Sequence, residues 1–374
     1  MSDTDTQPAG EEPAYDVMAP WGEGGPPPEG SWREDILGSA YDSRTLPLLP
    51  DSEGDNVATL IRYLPHRDPG APASAKSFPR HVALYLHGRN DYFFQTELAQ
   101  TMAASGSAFY ALDLRKYGRS LRPWQSIGYT DDLSAYDEEI SDALDVIRAE
   151  HGRLPLILVG HSTGGLIAAL WAHRHPGAVA ALILNSAWLE MQTMANLRSA
   201  VSPVLGRIAA YNPKWEVPAG EGPDFYSTSL IGGWVNSGLT IPSSVAAHED
   251  DPALVGWRYR HEWKRPESYP IPAAWLDTIM DGHAIIEEDL DLECPVLSMM
   301  SSSSYFGDEW NERVFCSDVV LDVNVIAERS STLGRLVTIA RFPGKHDLFL
   351  SDPDVRARVW DTMTHWIDAF APTV

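Results

Sequence analysis

Midway along the chain, the stretch LILVGHSTGGLIAALWAHRHP sets Gly160-His161-Ser162-Thr163-Gly164 between an apolar run and a helical pattern. Few architectures accommodate that arrangement. The chain must turn sharply from strand to helix, and the central serine takes strained backbone geometry at the turn. The flanking glycines let neighbouring backbone pass without Cβ clashes. Ser162 is thereby lifted above the carboxyl edge of a sheet, and the N–H of Thr163, at the helix start, faces any negative charge that develops there.

The rest of the sequence supplies the sheet. Residues 45–49 and 57–64 flank the turn cluster DSEGDN and read as an antiparallel hairpin. Further apolar runs lie at 81–88, 107–114, 154–160, 180–185, 294–300 and 335–342. Several are continuously apolar, as strands buried on both faces require. Helical periods over 133–151, 166–175 and 355–370 fall between or after them. Strands alternating with helices predict an open, mostly parallel α/β sheet of eight strands. The core spans 33–188 and 293–374. The intervening block, 189–292, is far too long for an ordinary connection and rich in aromatic residues, so it reads as an inserted, mobile helical cap that sets substrate size. Residues 1–32 are acidic and rich in Pro and Gly, a composition that predicts a flexible or loosely docked tail.

Composition narrows the function classes. Lys plus Arg number 28 against 52 Asp plus Glu, a net charge of −24. That charge repels nucleic acid and anionic membrane at long range, so no nucleic acid is expected as a partner. The two cysteines, Cys294 and Cys316, form no disulfide framework and no metal motif, and both read as free thiols. No run of about 18 apolar residues predicts a transmembrane segment. The N-terminus lacks the apolar region of a signal peptide, and a cytoplasmic location is expected.

A serine is a poor nucleophile without a base to take its proton and an acid to orient that base. Of twelve histidines, His346 follows the last strand in RFPGKHDLFLS, where a loop leads to the final helix. His81, His151, His173 and His175 sit at element ends, where imidazole is usually solvated. His161 lies within the turn and is expected to point away from Ser162. For the acid, the stretch after the strand at 294–300 offers Asp308, Glu309, Glu312, Asp318 and Asp322. Asp318 is favoured because it precedes a helical pattern leading into the last strand, at the sheet edge where ligands bind. Asp322 falls inside that helix, and Asp308 lies nearest the strand end. A second oxyanion donor is expected from LHGRNDYFFQ, where Gly88 lets the Arg89 N–H face Ser162 and the Arg89 side chain is free to point to solvent.

At these residues the chain resembles the α/β-hydrolase superfamily, and within it the serine aminopeptidase S33-like group that contains monoacylglycerol lipases and lysophospholipases. The likeness runs from about 45 to 372, on LHGRND, DLRKYGRS (113–120), GHSTGG and GKHDLFLS. In that group the acid lies some thirty residues before the histidine, often with a second Asp four positions later. Asp318 and Asp322 fit this spacing. Arg89 departs from the group's H-G-x-G, Tyr117 from the small residues of its D-x-R loop, and the serine-rich stretch 301–317 lengthens the acid loop.

The resemblance implies a serine hydrolase acting on a small-molecule carboxylic ester with an apolar acyl group, such as a monoacylglycerol or lysolipid. Its triad would be Ser162, Asp318 and His346, with Arg89 and Thr163 N–H groups in the oxyanion hole and neither metal nor cofactor. A peptidase, thioesterase or C–C hydrolase keeps the same triad. A peptidase would want a cap acid, among Glu249, Asp250 and Asp251, to read an amino group. A non-catalytic ligand binder of the same fold is a further alternative. Dehalogenases and epoxide hydrolases of the fold use an Asp nucleophile, which Ser162 argues against.

Overall fold

The computed structural model describes residues 15–191, 195–218 and 224–371. Three strands come first: β1 (Arg33–Asp35), β2 (Gly38–Asp51) and β3 (Gly54–Tyr63). They form an antiparallel meander whose tight turn falls in the DSEGDN cluster. Strands and helices then alternate through β4 (His81–Leu86), α1 (Thr96–Ala104), β5 (Ser107–Asp113), α2 (Tyr136–His151), β6 (Leu156–His161), α3 (Thr163–Arg174) and β7 (Ala181–Asn185). The long interval that follows holds α4 (Ala195–Tyr211), β8 (Glu216–Val217), α5 (Phe225–Gly232), α6 (Ser243–Ala246), α7 (Pro252–Val255), β9 (Ile271–Pro272) and α8 (Ala273–Glu287). The chain returns to the sheet through β10 (Val296–Ser301), α9 (Arg313–Cys316), α10 (Val323–Ser330), β11 (Val337–Phe342) and α11 (Pro353–Phe370).

Among the described residues the main sheet has nine strands, in the order β1-β2-β3-β5-β4-β6-β7-β10-β11, with β8 and β9 paired separately. From β5 to β11 every neighbouring pair is parallel. The mostly parallel, helix-flanked α/β-hydrolase sheet expected from the sequence is therefore present, with one strand more than the eight expected. The extra strand is β1, whose sequence Arg-Glu-Asp has no apolar alternation to reveal it. It is fixed instead by charge: buried Asp35 accepts both arms of the buried Arg119 guanidinium, at 2.7 and 2.8 Å.

Alternation along the strands builds two cores. Leu84, Leu158, Leu182 and Val296 face one side and pack with α2 and α3. Ala83, Tyr85, Ile157, Val159, Ile183, Leu297 and Met299 face the other and pack with α1 and α11. Period two in a strand sends neighbours to opposite faces, so a strand covered on both sides must be apolar throughout. Helix α3 is buried along nearly its whole length. It lies between the sheet and α8, and a Cβ on Gly282 of α8 would stand 3.1 Å from the Leu170 side chain, so glycine permits that approach.

The tail, expected to be flexible or loosely docked, can be described in part. Residues 1–14 lie outside the described residues. Residues 15–32 are docked: Val17 and Trp21 are buried, Trp21 meets Trp263 edge-on, and Trp263 Nε1 donates to the Val17 carbonyl at 2.8 Å. Apolar side chains scattered through a Pro/Gly-rich segment suffice to anchor it.

Candidate active site

The carboxyl ends of the parallel strands carry the polar residues. At the end of β6, Ser162 adopts φ 52°, ψ −120°, in the left-handed half of backbone space that side chains avoid, and caps α3. Such geometry costs about 1–3 kcal/mol and persists only where the surroundings enforce it. Here the Ser162 N–H donates to the Asn185 carbonyl at 3.0 Å, and the Ser162 carbonyl accepts from the Gly165 and Trp188 N–H groups. A Cβ on Gly164 would run into the carbonyls of Leu86 and His87, and one on Gly160 would sit 2.6 Å from the Gly164 carbonyl. The small residues in the motif are thus required by backbone packed against backbone.

His346 lies in the loop between β11 and α11 and is buried. Its Nδ1 stands 2.9 Å from Asp318 Oδ2. A carboxylate only accepts, so Nδ1 carries the proton and Nε2 is left with its lone pair. Asp318 is fully buried, and its Oδ1 accepts from the Val320 and Leu321 N–H groups at 2.8 and 2.7 Å. Those amides fix the direction of the carboxylate. Of the rival acids, Asp308, Glu309 and Glu312 are exposed. Asp322 is the N-cap of α10, accepting from the Asn324 N–H, and so precedes the helix in which the sequence pattern had put it.

Ser162, Thr163, Arg89 and His346 line one cavity of about 300 Å³. The loop carrying Arg89 passes directly over the serine: a Cβ on Gly88 would lie 3.0 Å from Ser162 Cβ. The Arg89 side chain, which the backbone role leaves free to point to solvent, donates to the Tyr269 and Pro270 carbonyls at 2.6 and 3.1 Å and lies over the Tyr269 ring. His161 also departs from expectation. It lines the same cavity, with its ring centroid 4.9 Å from that of His346. Its Nδ1 meets the Asn185 carbonyl at 3.1 Å, and burial lowers its basicity, so it is held neutral. His81, expected in solvent, is buried as well.

The cavity has two characters. Trp188, Ile271, Trp275, Val320 and Leu321 make an apolar wall. Asp91, Lys264, Tyr226, Asp224 and Ser227 make its polar part. Lys264 Nζ stands 3.3 Å from Asp91 Oδ1, and both side chains are buried. Among the described residues Asp91 Oδ2 and the Tyr226 hydroxyl have no hydrogen-bond partner. Burial, with Asp347 and Asp91 nearby, holds the Tyr226 hydroxyl protonated. Sequence reasoning missed this polar wall. Asp91 stood in the quoted LHGRND, but Lys264 and Tyr226 come from the inserted interval, whose sequence gives no register to the site. Glu249, Asp250 and Asp251 do not line the cavity, and Asp251 pairs with Arg356.

Asp91, His161 and Asp347 bring one potential metal-ligating atom each within 4.8 Å of one another. Apart from Asp91 Oδ2, each is already engaged by other groups. Asp347 accepts from the Asn185 and Gln95 amides and the Phe349 N–H, and the Lys264 ammonium supplies positive charge at Asp91. Asn185 joins two of the three, its carbonyl meeting His161 Nδ1 at 3.1 Å and its amide donating to Asp347 at 2.7 Å, which ties the histidine loop to the serine turn.

A family model described as serine aminopeptidase, S33 matches residues 77–264, half of the chain. The monoacylglycerol lipase of Mycolicibacterium smegmatis is 31% identical over 148 residues, covering 39% of this chain and 46% of that one. The chain thus spans under half the length of that relative. Among solved structures, a soluble variant of monoglyceride lipase from Saccharomyces cerevisiae superposes with TM-score 0.57 at 15% identity, over 92% of this chain and 100% of that one. A thermostable carboxyl esterase from Bacillus coagulans does so with TM-score 0.56 at 16% identity, over 90% and 100%. At such identities the superpositions speak for the fold alone.

Proposed function

This chain belongs to the serine aminopeptidase S33 family, and from that premise we propose that it is a serine hydrolase cleaving carboxylic esters of amphipathic substrates, a monoacylglycerol or lysolipid in type. The observation that carries the reading is His346, paired with buried Asp318 at 2.9 Å and lining one cavity with the strained Ser162.

In this reading Ser162 Oγ attacks the ester carbonyl carbon and its proton passes to His346 Nε2. Asp318 stabilises the imidazolium and holds its tautomer. The carbonyl oxygen becomes an oxyanion that accepts from the Thr163 and Arg89 N–H groups. Collapse expels the alcohol, protonated by His346. Water, deprotonated by the same nitrogen, then attacks the acyl-Ser162 carbonyl and frees the acid. None of these steps calls on a metal or cofactor.

The two walls of the cavity suit the two ends of such a substrate. Each acyl CH₂ buried against Trp188, Ile271 and Leu321 adds about 0.8 kcal/mol. Asp91, Asp224, Ser227 and Lys264 give the same cavity the polar lining that a hydroxylated leaving group would use. We read residues 189–292 as the cap that supplies Tyr226, Lys264, Ile271 and Trp275. An aminopeptidase reading fits less well, because a substrate ammonium would have to displace Lys264 from Asp91.

The test is a panel of p-nitrophenyl esters, monoacylglycerols and aminoacyl amides assayed with wild type and Ser162→Ala. Turnover of esters by wild type alone supports the reading. Turnover of amides without esters replaces it with the peptidase.

A further inference from the structure

The Arg89 side chain does something the oxyanion role of its backbone does not require. Its guanidinium reaches across the cavity floor to the cap, donating to the Tyr269 and Pro270 carbonyls at 2.6 and 3.1 Å and to Ser268 Oγ at 3.3 Å. It lies 4.2 Å from the centre of the Tyr269 ring and 5.0 Å from that of Trp275. The next residue repeats the connection. Asn90 holds φ 52°, its N–H donates to the Tyr269 hydroxyl at 2.9 Å, and its amide exchanges two hydrogen bonds with the Arg265 backbone at 2.8 and 2.9 Å. Six hydrogen bonds therefore join residues 89–90 to residues 265–270.

The loop after β4 has no regular structure of its own to fix its backbone. Its closest approach to the nucleophile, at Gly88, is one residue from Arg89. An oxyanion donor lowers the barrier only if it is already in place when charge develops, and removing one costs about 10²–10³ in kcat. A guanidinium held by two carbonyls and two rings is rigid at both ends, and a lysine cannot match that fork or its stacking. We propose that Arg89 is a positioning residue: its side chain, anchored on Tyr269, Pro270 and Trp275, sets its own backbone N–H over Ser162, so that cap residues 265–275 form a fixed part of the oxyanion hole. The mobile cap expected from sequence is then not mobile as one body, since this stretch must stay put for the hole to exist. The proposal rests on the ester hydrolase reading above.

The test compares wild type, Arg89→Met and Arg89→Lys. Met keeps an apolar stem on the rings and loses the charged fork. Three quantities are read: kcat and KM for p-nitrophenyl butyrate; the affinity of an alkyl trifluoromethyl ketone, whose hemiketal places an oxyanion in the hole; and the affinity of the matching secondary alcohol, which has no oxyanion. Arg89→Met is expected to lower kcat by about 10- to 100-fold, part of the loss of a whole donor, with KM nearly unchanged. Trifluoromethyl ketone affinity should fall in parallel, alcohol affinity should hold, and Arg89→Lys should recover part of the loss. A folded Arg89→Met with wild-type kcat and ketone affinity overturns the proposal, as does a rise in KM alone, which would make the side chain a mere wall. Should Arg89→Met fail to fold, Arg89→Lys is read by the same criteria, and wild-type values there overturn it. A wild type that neither turns over esters nor takes the ketone rejects the hydrolase reading itself, a result distinct from active wild type with indifferent variants.

Discussion

Asp318 faces His346 with one carboxylate oxygen and two backbone amides with the other: Oδ2 lies 2.9 Å from His346 Nδ1, while Oδ1 accepts from the Val320 and Leu321 N–H groups. The carboxylate is thus fixed before it meets the imidazole. Replacing it by asparagine puts an amide NH₂ where one of these donors already points, and removes the charge that supports the imidazolium. Asp318→Asn is expected to lower kcat by about 10⁴-fold, the scale seen when a triad acid is lost with its geometry intact. The exposed Asp308 serves as the control, and Asp308→Asn should stay within about tenfold of wild type. Steady-state kinetics of the two variants decide between them.

The apolar wall gives a specificity prediction. Ile271 is half-buried at the mouth of the cavity beside Trp275. Ile271→Trp fills space that a long acyl chain would use and leaves the serine untouched. Its kcat/KM for a dodecanoyl ester should fall by at least about tenfold relative to that for a butyryl ester, since one methylene in a pocket is worth about 1–3 kcal/mol. A chain-length series on p-nitrophenyl esters checks this, and parallel losses at all lengths would place the acyl chain elsewhere.

Much of this was legible in the sequence, for identifiable reasons. Buried parallel strands must be apolar on both faces, so β4 to β7 announced themselves, and the glycine spacing around Ser162 follows from backbone contacts that admit no Cβ. The 28-residue spacing from Asp318 to His346 pointed to a pair that the structure brings within hydrogen-bond distance. What stayed hidden depends on long-range contact. β1 is held by an Arg119–Asp35 pair 84 residues apart. The placement of Lys264 and Tyr226 beside Asp91 requires the path of the insertion, which no local pattern encodes. The Arg89 side chain was left free to point to solvent, because only its partners 179 to 181 residues away reveal its role.

Lys345, beside the histidine, gives a pH prediction. It is fully buried, over the Phe315 ring, and burial lowers its pKa from the ordinary 10.5 to about 8, against the pull of Asp352. Between about pH 8 and 10.5 the unfolded chain holds a proton at this lysine that the folded chain has lost. Stability therefore rises with pH through that window, by linkage, on the order of 3 kcal/mol. In Lys345→Met the contribution is absent. Urea unfolding of both proteins at pH 7.5, 9 and 10.5 should show wild type gaining on the variant as pH rises, and a constant difference would contradict the burial argument.

Gly164→Ala tests the serine turn without altering any reactive group. The new Cβ points at the carbonyls of Leu86 and His87, which belong to the sheet and cannot swing aside. Overpacking of this kind costs about 1–3 kcal/mol and more where backbone must move. Thermal melting should drop by several degrees, and the oxyanion loop that follows His87 should shift, taking esterase activity with it.

The central claim is that Ser162 is the nucleophile, and covalent labelling reads it directly. Incubation with an alkyl fluorophosphonate followed by intact mass and peptide mapping should give a single adduct on the peptide containing Ser162, formed in wild type, slowed severely in Asp318→Asn and absent in Ser162→Ala. An adduct on another residue, or labelling that survives in folded Ser162→Ala, would contradict the account.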